Sequence, residues 1–256
     1  MRVGHRPTSA SRRGERPAER AQGKERRSAP SSECYIHRIV SSLRNDFDGR
    51  VALITGAARG LGDRALAVPG DVTESPEALV GQVLERFGRL DILVNNAAYA
   101  QSTRFHDLSA EEWRRAVEVN LTAPFLLTKA AVPAMKAQRY GRIVNISSLA
   151  GKTVSTLGGA HYTASKAGLQ GFTRAAAKEL GASGITVNAI CPGMIDTELT
   201  REHATNEQLA AIASGYPIAR LGTREEVADL ICFLASEAAG YITGASWDIN
   251  GGDLMV

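Results

Sequence analysis

The chain has 256 residues, 44% hydrophobic, 22% charged and 5% aromatic, with a formal net charge of +3. That length and apolar fraction suit one large domain or two small ones with a buried core, and no apolar run approaches the ~18–20 residues needed to cross a bilayer. Three cysteines (Cys34, Cys191, Cys232) form no CxxC pair and the five histidines are scattered, which argues against a disulfide framework and a catalytic metal and fits a cytoplasmic location.

The charge is unevenly spread. Residues 1–45 carry ten Arg and one Lys against four Glu, a net +7, so the rest of the chain sums to −4. The head is rich in Ser, Pro and Gly, and its first 33 residues cannot bury enough surface to offset ordering entropy. Residues 1–45 are therefore read as a basic disordered extension and 46–256 as the folded domain. A nucleic-acid tail and an organellar transit peptide are the competing readings of the head. Four Glu residues count against the second, and an extension with no part in the chemistry is preferred.

From residue 50 the chain alternates short apolar runs with helical patterns. Strands are expected at 50–55, 65–68, 91–95, 142–147, 186–190 and Ser246–Ile249, and helices at Pro76–Phe87, 110–137, Ala160–Leu180 and Arg224–Ala235. Ser109 with Glu111 and Glu112 marks one helix start, and Thr223 with Glu226 has the spacing of a capping box. Such alternation predicts right-handed crossovers and an α/β fold with a parallel sheet.

Five motifs carry chemistry. Thr55–Gly62 (TGAARGLG) is a glycine-rich turn directly after a strand, where backbone can approach a pyrophosphate; Gly56, Gly60 and Gly62 supply the freedom. Asn95-Asn96-Ala97 follows another strand at its carboxyl end, where open α/β sheets bind ligands. Tyr162 and Lys166, four apart in a helix, share one face, and Ser148 ends a strand within reach of it. An unperturbed tyrosine, with a pKa of about 10, is a poor acid at neutral pH, and a nearby ammonium would favour its phenolate. A serine hydroxyl can meanwhile hold a carbonyl oxygen. Asn120, inside the predicted helix 110–137, is a poor helix former with an amide free to bond elsewhere.

Taken in order, the glycine turn, Asp71-Val72, Asn95–Ala97, Asn120, Ser148, Tyr162-x-x-x-Lys166 and Pro192-Gly193 resemble the short-chain dehydrogenase/reductase family. The closing Tyr241–Gly244 and Asn250-Gly251-Gly252 lean towards its 3-oxoacyl-carrier-protein reductases and sugar or polyol dehydrogenases. The resemblance implies a three-layer, doubly wound, Rossmann-like parallel sheet and hydride transfer between NAD or NADP and a carbonyl or secondary alcohol. It implies Tyr162 as proton donor or acceptor, and Lys166 depressing the pKa of Tyr162 and holding the ribose. Ser148 would orient the substrate carbonyl, and Asn120 would support Lys166 through a water. The cofactor would lie along Gly56, Arg59, Gly60, Leu61 and Gly62. Asp71 and Val72 would flank the adenine, with Asn95 and Ala97 nearby, and Pro192, Gly193, Ile195 and Thr197 would line the nicotinamide. Residues 194–216 would form a substrate lid, and the enzyme would be a homo-oligomer, dimer or tetramer, without a membrane partner.

One stretch departs from the family. Gly62 lies only nine positions before Asp71, too few for the helix and second strand of a dinucleotide-binding unit. A helix–strand–helix portion is therefore expected to be missing, and with it the acidic residue that reads the ribose 2′-hydroxyl. Arg59 beside the glycines inclines the choice towards the 2′-phosphate of NADP. A non-catalytic oligomer subunit and an artefactually truncated gene model are the alternatives.

Overall fold

The computed structural model describes residues 47–57, 68, 70–155 and 158–256. Five parallel strands form one sheet in the order β1 (Ala52–Ile54), β2 (Ile92–Asn95), β3 (Gly141–Ile146), β4 (Ile185–Pro192) and β5 (Ser246–Ile249). Ile54 pairs with Val94, Asn95 with Asn145, and Ile146 with Ile190, so the carboxyl ends of the strands come out at one edge. β2 and β4 are buried along almost their whole lengths, as expected of strands covered on both faces. The strand expected at 65–68 lies outside the described residues apart from Val68, which packs on the core without joining a strand.

The helices between the strands follow local chemistry. α1 (Pro76–Phe87) starts with proline in its first turn and stops at Gly88, whose φ of 70° a side chain would resist. α2 (Ala110–Val117) is capped by the Ser109 hydroxyl accepting from Glu112 N. The expected single helix 110–137 is interrupted: a π-helical turn at Glu118–Thr122 separates α2 from α3 (Ala123–Gln138). One wide turn of this kind shifts the side chains that follow, and it falls on Asn120. α4 (Ala160–Leu180) has the expected bounds. Residues 194–216 contain two short helices, α5 (Glu198–His203) and α6 (Asn206–Ser214). α7 (Arg224–Ala235) opens with the complete Thr223–Glu226 capping box.

Two apolar clusters make the three layers. Leu79, Val83, Leu127, Met135, Ala177 and Leu180 of α1, α3 and α4 pack on one face of the sheet with Leu53, Leu93, Ile143 and Val187. Ile231, Cys232 and Leu234 of α7 cover the other face with Val94, Val144 and Ile190. The strand order advances steadily, yet α7 lies opposite α1, α3 and α4, so the β4–β5 crossover has the opposite hand to the others. That corrects the expectation of uniformly right-handed crossovers. The handedness rule holds for compact strand–helix–strand units, whereas this connection runs from Gly193 to Ala245 and carries three α-helices and a 3-10 turn. A doubly wound sheet places strands on both sides of the first. Here β1 stands at the end of the described sheet, where the missing portion would have continued it.

Candidate functional site

The polar cluster sits at the carboxyl ends of β2, β3 and β4 and is assembled against α4. β3 runs into Ser147 and Ser148, and the first two turns of α4 bring Tyr162 and Lys166 to face them. Lys166 is one of the largest buried side chains, 2% exposed, and its Nζ donates to Ile146 O at 2.7 Å. Burial pushes the Lys166 pKa down from 10.5 to about 8, against a smaller opposing influence of Cys191. The Tyr162 phenol lies beside Ser148, whose hydroxyl lowers the phenol's pKa in part, while burial raises it above the ordinary tyrosine value. Lys166 Nζ stands 5.6 Å from the Tyr162 ring centroid. Burial therefore outweighs the lowering influence of Ser148, and the phenol is shifted opposite to the direction expected from a neighbouring lysine. Ser148 Oγ also accepts from Ala150 N at 3.1 Å, which fixes its rotamer.

Asn120 is buried, and its side chain is fully engaged within the protein. Its Oδ1 accepts from Tyr99 N at 2.8 Å, and its Nδ2 donates to Tyr99 O at 2.9 Å and Ser165 Oγ at 3.0 Å. Ser165 Oγ in turn donates to Tyr162 O at 2.9 Å. The Asn120 side chain therefore braces the start of α4 and the segment after β2, and it makes no direct bond to Lys166 among the described residues. Ser165 has no mark in the sequence beyond being small and helical. Gln170 was also missed; its Nε2 donates to Ser147 Oγ and Ser148 O at 3.2 Å each and holds the β3 exit in place.

The cofactor candidates divide into four groups. Arg59, Gly60, Leu61 and Gly62 lie outside the described residues. Gly56 and the Asn95–Ala97 turn are bolted together: Thr55 Oγ1 accepts from Asn96 N and Ala97 N at 3.0 Å each. Gly56 has φ +69°, and a Cβ there would stand 2.9 Å from Ala97 Cα, so the close approach of two turns explains this glycine. Asn95 points inward, its Nδ2 donating to Asn145 Oδ1 at 2.8 Å. At the other end, a Cβ on Gly193 would meet Asn250 Cα at 2.9 Å, and Ile195 bridges to Gly222. Thr197 Oγ1 caps α5 by accepting from Thr200 N. Asp71 is exposed and accepts from Thr73 N and Oγ1, which hold its carboxyl below the usual range; Val72 packs on the core. A groove of about 500 Å3 also opens over Tyr99 and α2, away from Ser148.

Among the described residues no group of three or more His, Cys, Asp or Glu could hold a metal ion, and no helix is long and apolar enough to cross a membrane. Residues 40–253 match a family described as enoyl-(acyl carrier protein) reductase. The chain belongs to the short-chain dehydrogenase/reductase family. By that membership it is an NAD(P)-dependent oxidoreductase.

This family member is 38% identical to the 3-oxoacyl-[acyl-carrier-protein] reductase FabG of Escherichia coli (strain K12) over 246 residues, covering 82% of this chain and 100% of that protein. It is 43% identical to the 3-oxoacyl-[acyl-carrier-protein] reductase of Synechocystis sp. over 197 residues, 76% of this chain and 78% of that protein. In the first comparison 82% of 256 residues is about 210, some 36 short of the 246 aligned. In the second, 76% of 256 is about 195, so those 197 positions run almost without a gap. The missing piece thus has the size of a helix–strand–helix portion and lies outside the stretch that aligns continuously.

Proposed function

We propose that residues 46–256 form an NADPH-dependent reductase of 3-oxoacyl thioesters in which Tyr162 is the general acid. The observation that carries this reading is the Ser148–Tyr162 hydroxyl pair with the buried Lys166 ammonium one turn further along α4. A nicotinamide cofactor, when bound, supplies the hydride to the carbonyl carbon. Ser148 Oγ holds the carbonyl oxygen, and Tyr162 Oη gives its proton to that oxygen as it gains charge. Lys166 spends one N–H on Ile146 O, which leaves two for ribose hydroxyls and a positive charge to balance the phenolate. These donors fit the nicotinamide-ribose end of the cofactor. Pro192, Gly193, Ile195 and Thr197 would line the nicotinamide, Asp71 and Val72 the adenine, with Gly56, Asn95 and Ala97 between them. Asn120 would act as a brace for the helix that carries Tyr162 and Lys166. Arg59 supports NADP over NAD, and the names of the relatives support a 3-oxoacyl substrate. We further propose a cytoplasmic homo-oligomer, a tetramer by preference.

One observation favours a second reading, that of a non-catalytic oligomer subunit: the roughly 36 positions of the relative without a counterpart here. Steady-state oxidation of NADPH and NADH with an acetoacetyl thioester separates the two. The enzyme reading expects turnover, faster with NADPH. A folded chain with no turnover on either cofactor supports the second reading.

A further inference from the structure

His161 precedes Tyr162 and is 0% exposed, yet neither of its ring nitrogens has a hydrogen-bond partner among the described residues. A buried polar group left unpaired costs stability, and an apolar ring of the same shape would fill the space without that cost. Its Nε2 stands 3.5 Å from Oε1 of Glu112 on α2, at the outer limit of a hydrogen bond. The same Oε1 accepts from Thr103 Oγ1 at 2.6 Å. Gly159, which caps α4, donates its N–H to Gln101 O at 3.1 Å, and a Cβ on it would meet both the His161 ring and Thr103 O at 2.8 Å. The ring is therefore wedged where α2, the segment after β2 and the first turn of α4 converge.

We propose that His161 is a positioning residue whose Nε2–H, directed at Glu112, sets the first turn of α4 and so aims Tyr162 Oη at Ser148. A movement of a few tenths of an ångström closes the pair, and a misplacement of about 1 Å at a reacting group can cost about a hundredfold in rate. The proposal rests on the reading of Tyr162 as general acid, and the two are tested apart.

The first arm is independent of turnover. Long-range 1H–15N NMR of the imidazoles in the full chain gives a slowly exchanging His161 Nε2–H resonance that moves in Glu112→Gln. No such resonance, or one indifferent to Glu112, overturns the proposal. The second arm is kinetic. His161→Phe lowers kcat about tenfold or more with KM within about twofold and Tm no lower, and His161→Gln, whose amide can reach Glu112, restores kcat to within about threefold. Wild-type kcat in His161→Phe overturns the proposal, as does a loss that follows Tm and is not relieved by glutamine. A wild type without turnover refutes the general-acid reading, and the NMR arm alone then decides the His161–Glu112 link.

Discussion

Lys166 is held at a measurable cost, and replacing it by methionine isolates that cost. Its pKa falls from 10.5 to about 8 on folding because burial disfavours the charged form. At about 1.4 kcal/mol per pH unit, the charged side chain costs the fold about 3 kcal/mol. The group is 2% exposed, so solvent screening offers little discount. Lys166→Met removes the charge and fills a similar volume, but Ile146 O loses its donor, worth about 1–1.5 kcal/mol. The net gain at pH 7 is about 2 kcal/mol, a rise in Tm of about 4–8 °C for a domain of this size. The pH dependence has a definite sign. Below pH 8 the lysine is charged in both states, so the wild type bears the full cost and the variant leads. Between pH 8 and 10.5 the folded state releases the proton while the unfolded state keeps it, so wild-type stability rises and the lead shrinks. By pH 10.5 the order reverses, since only the lost hydrogen bond remains. Thermal melts of both proteins from pH 6.5 to 10.5 measure the difference directly. A variant less stable at pH 7, or a lead that does not narrow with pH, would refute this account of the buried ammonium.

Two further predictions concern backbone space and the missing portion. A Cβ at Gly151 would stand 2.8 Å from the backbone C and O of Lys166, so Gly151→Ala should cost about 1–3 kcal/mol. Gly181 has ordinary helical angles and nothing within 4 Å, so Gly181→Ala should gain about 0.4–1 kcal/mol; calorimetry of the pair checks the contrast. Fluorescence titration with NADPH should give a Kd about two orders of magnitude above low micromolar, because a helix N-terminus and the 2′ contacts together supply about 3 kcal/mol. A low-micromolar Kd would show that the missing portion is not needed for the cofactor.

The parts of the fold that were legible in the sequence are those fixed by local chemistry. Pro76 and Gly88 bound α1, Thr223 and Glu226 open α7, and the bounds of α1, α4, α7 and β5 follow from apolar period and capping. The four-residue spacing of Tyr162 and Lys166 was likewise enough to place them on one face of α4. What escaped depends on contacts far apart in the chain. The π turn at Asn120 reflects its bonds to Tyr99 and Ser165, and the role of Gly56 depends on Ala97, more than forty residues away. The opposite hand of the last crossover is decided by which face α7 can cover, and no local pattern records it. Neither the Tyr162 pKa nor the His161 environment can be read from spacing, because both are set by burial among three or more elements.

Under the proposed function, Tyr162 delivers the proton in an NADPH-dependent carbonyl reduction. Comparing Tyr162→Phe with the wild type in kcat on an acetoacetyl thioester, alongside NADPH Kd for both, isolates that proton transfer from cofactor binding. The expected result is a fall in kcat of at least about a hundredfold with Kd within about twofold. Turnover by Tyr162→Phe at the wild-type rate would contradict it.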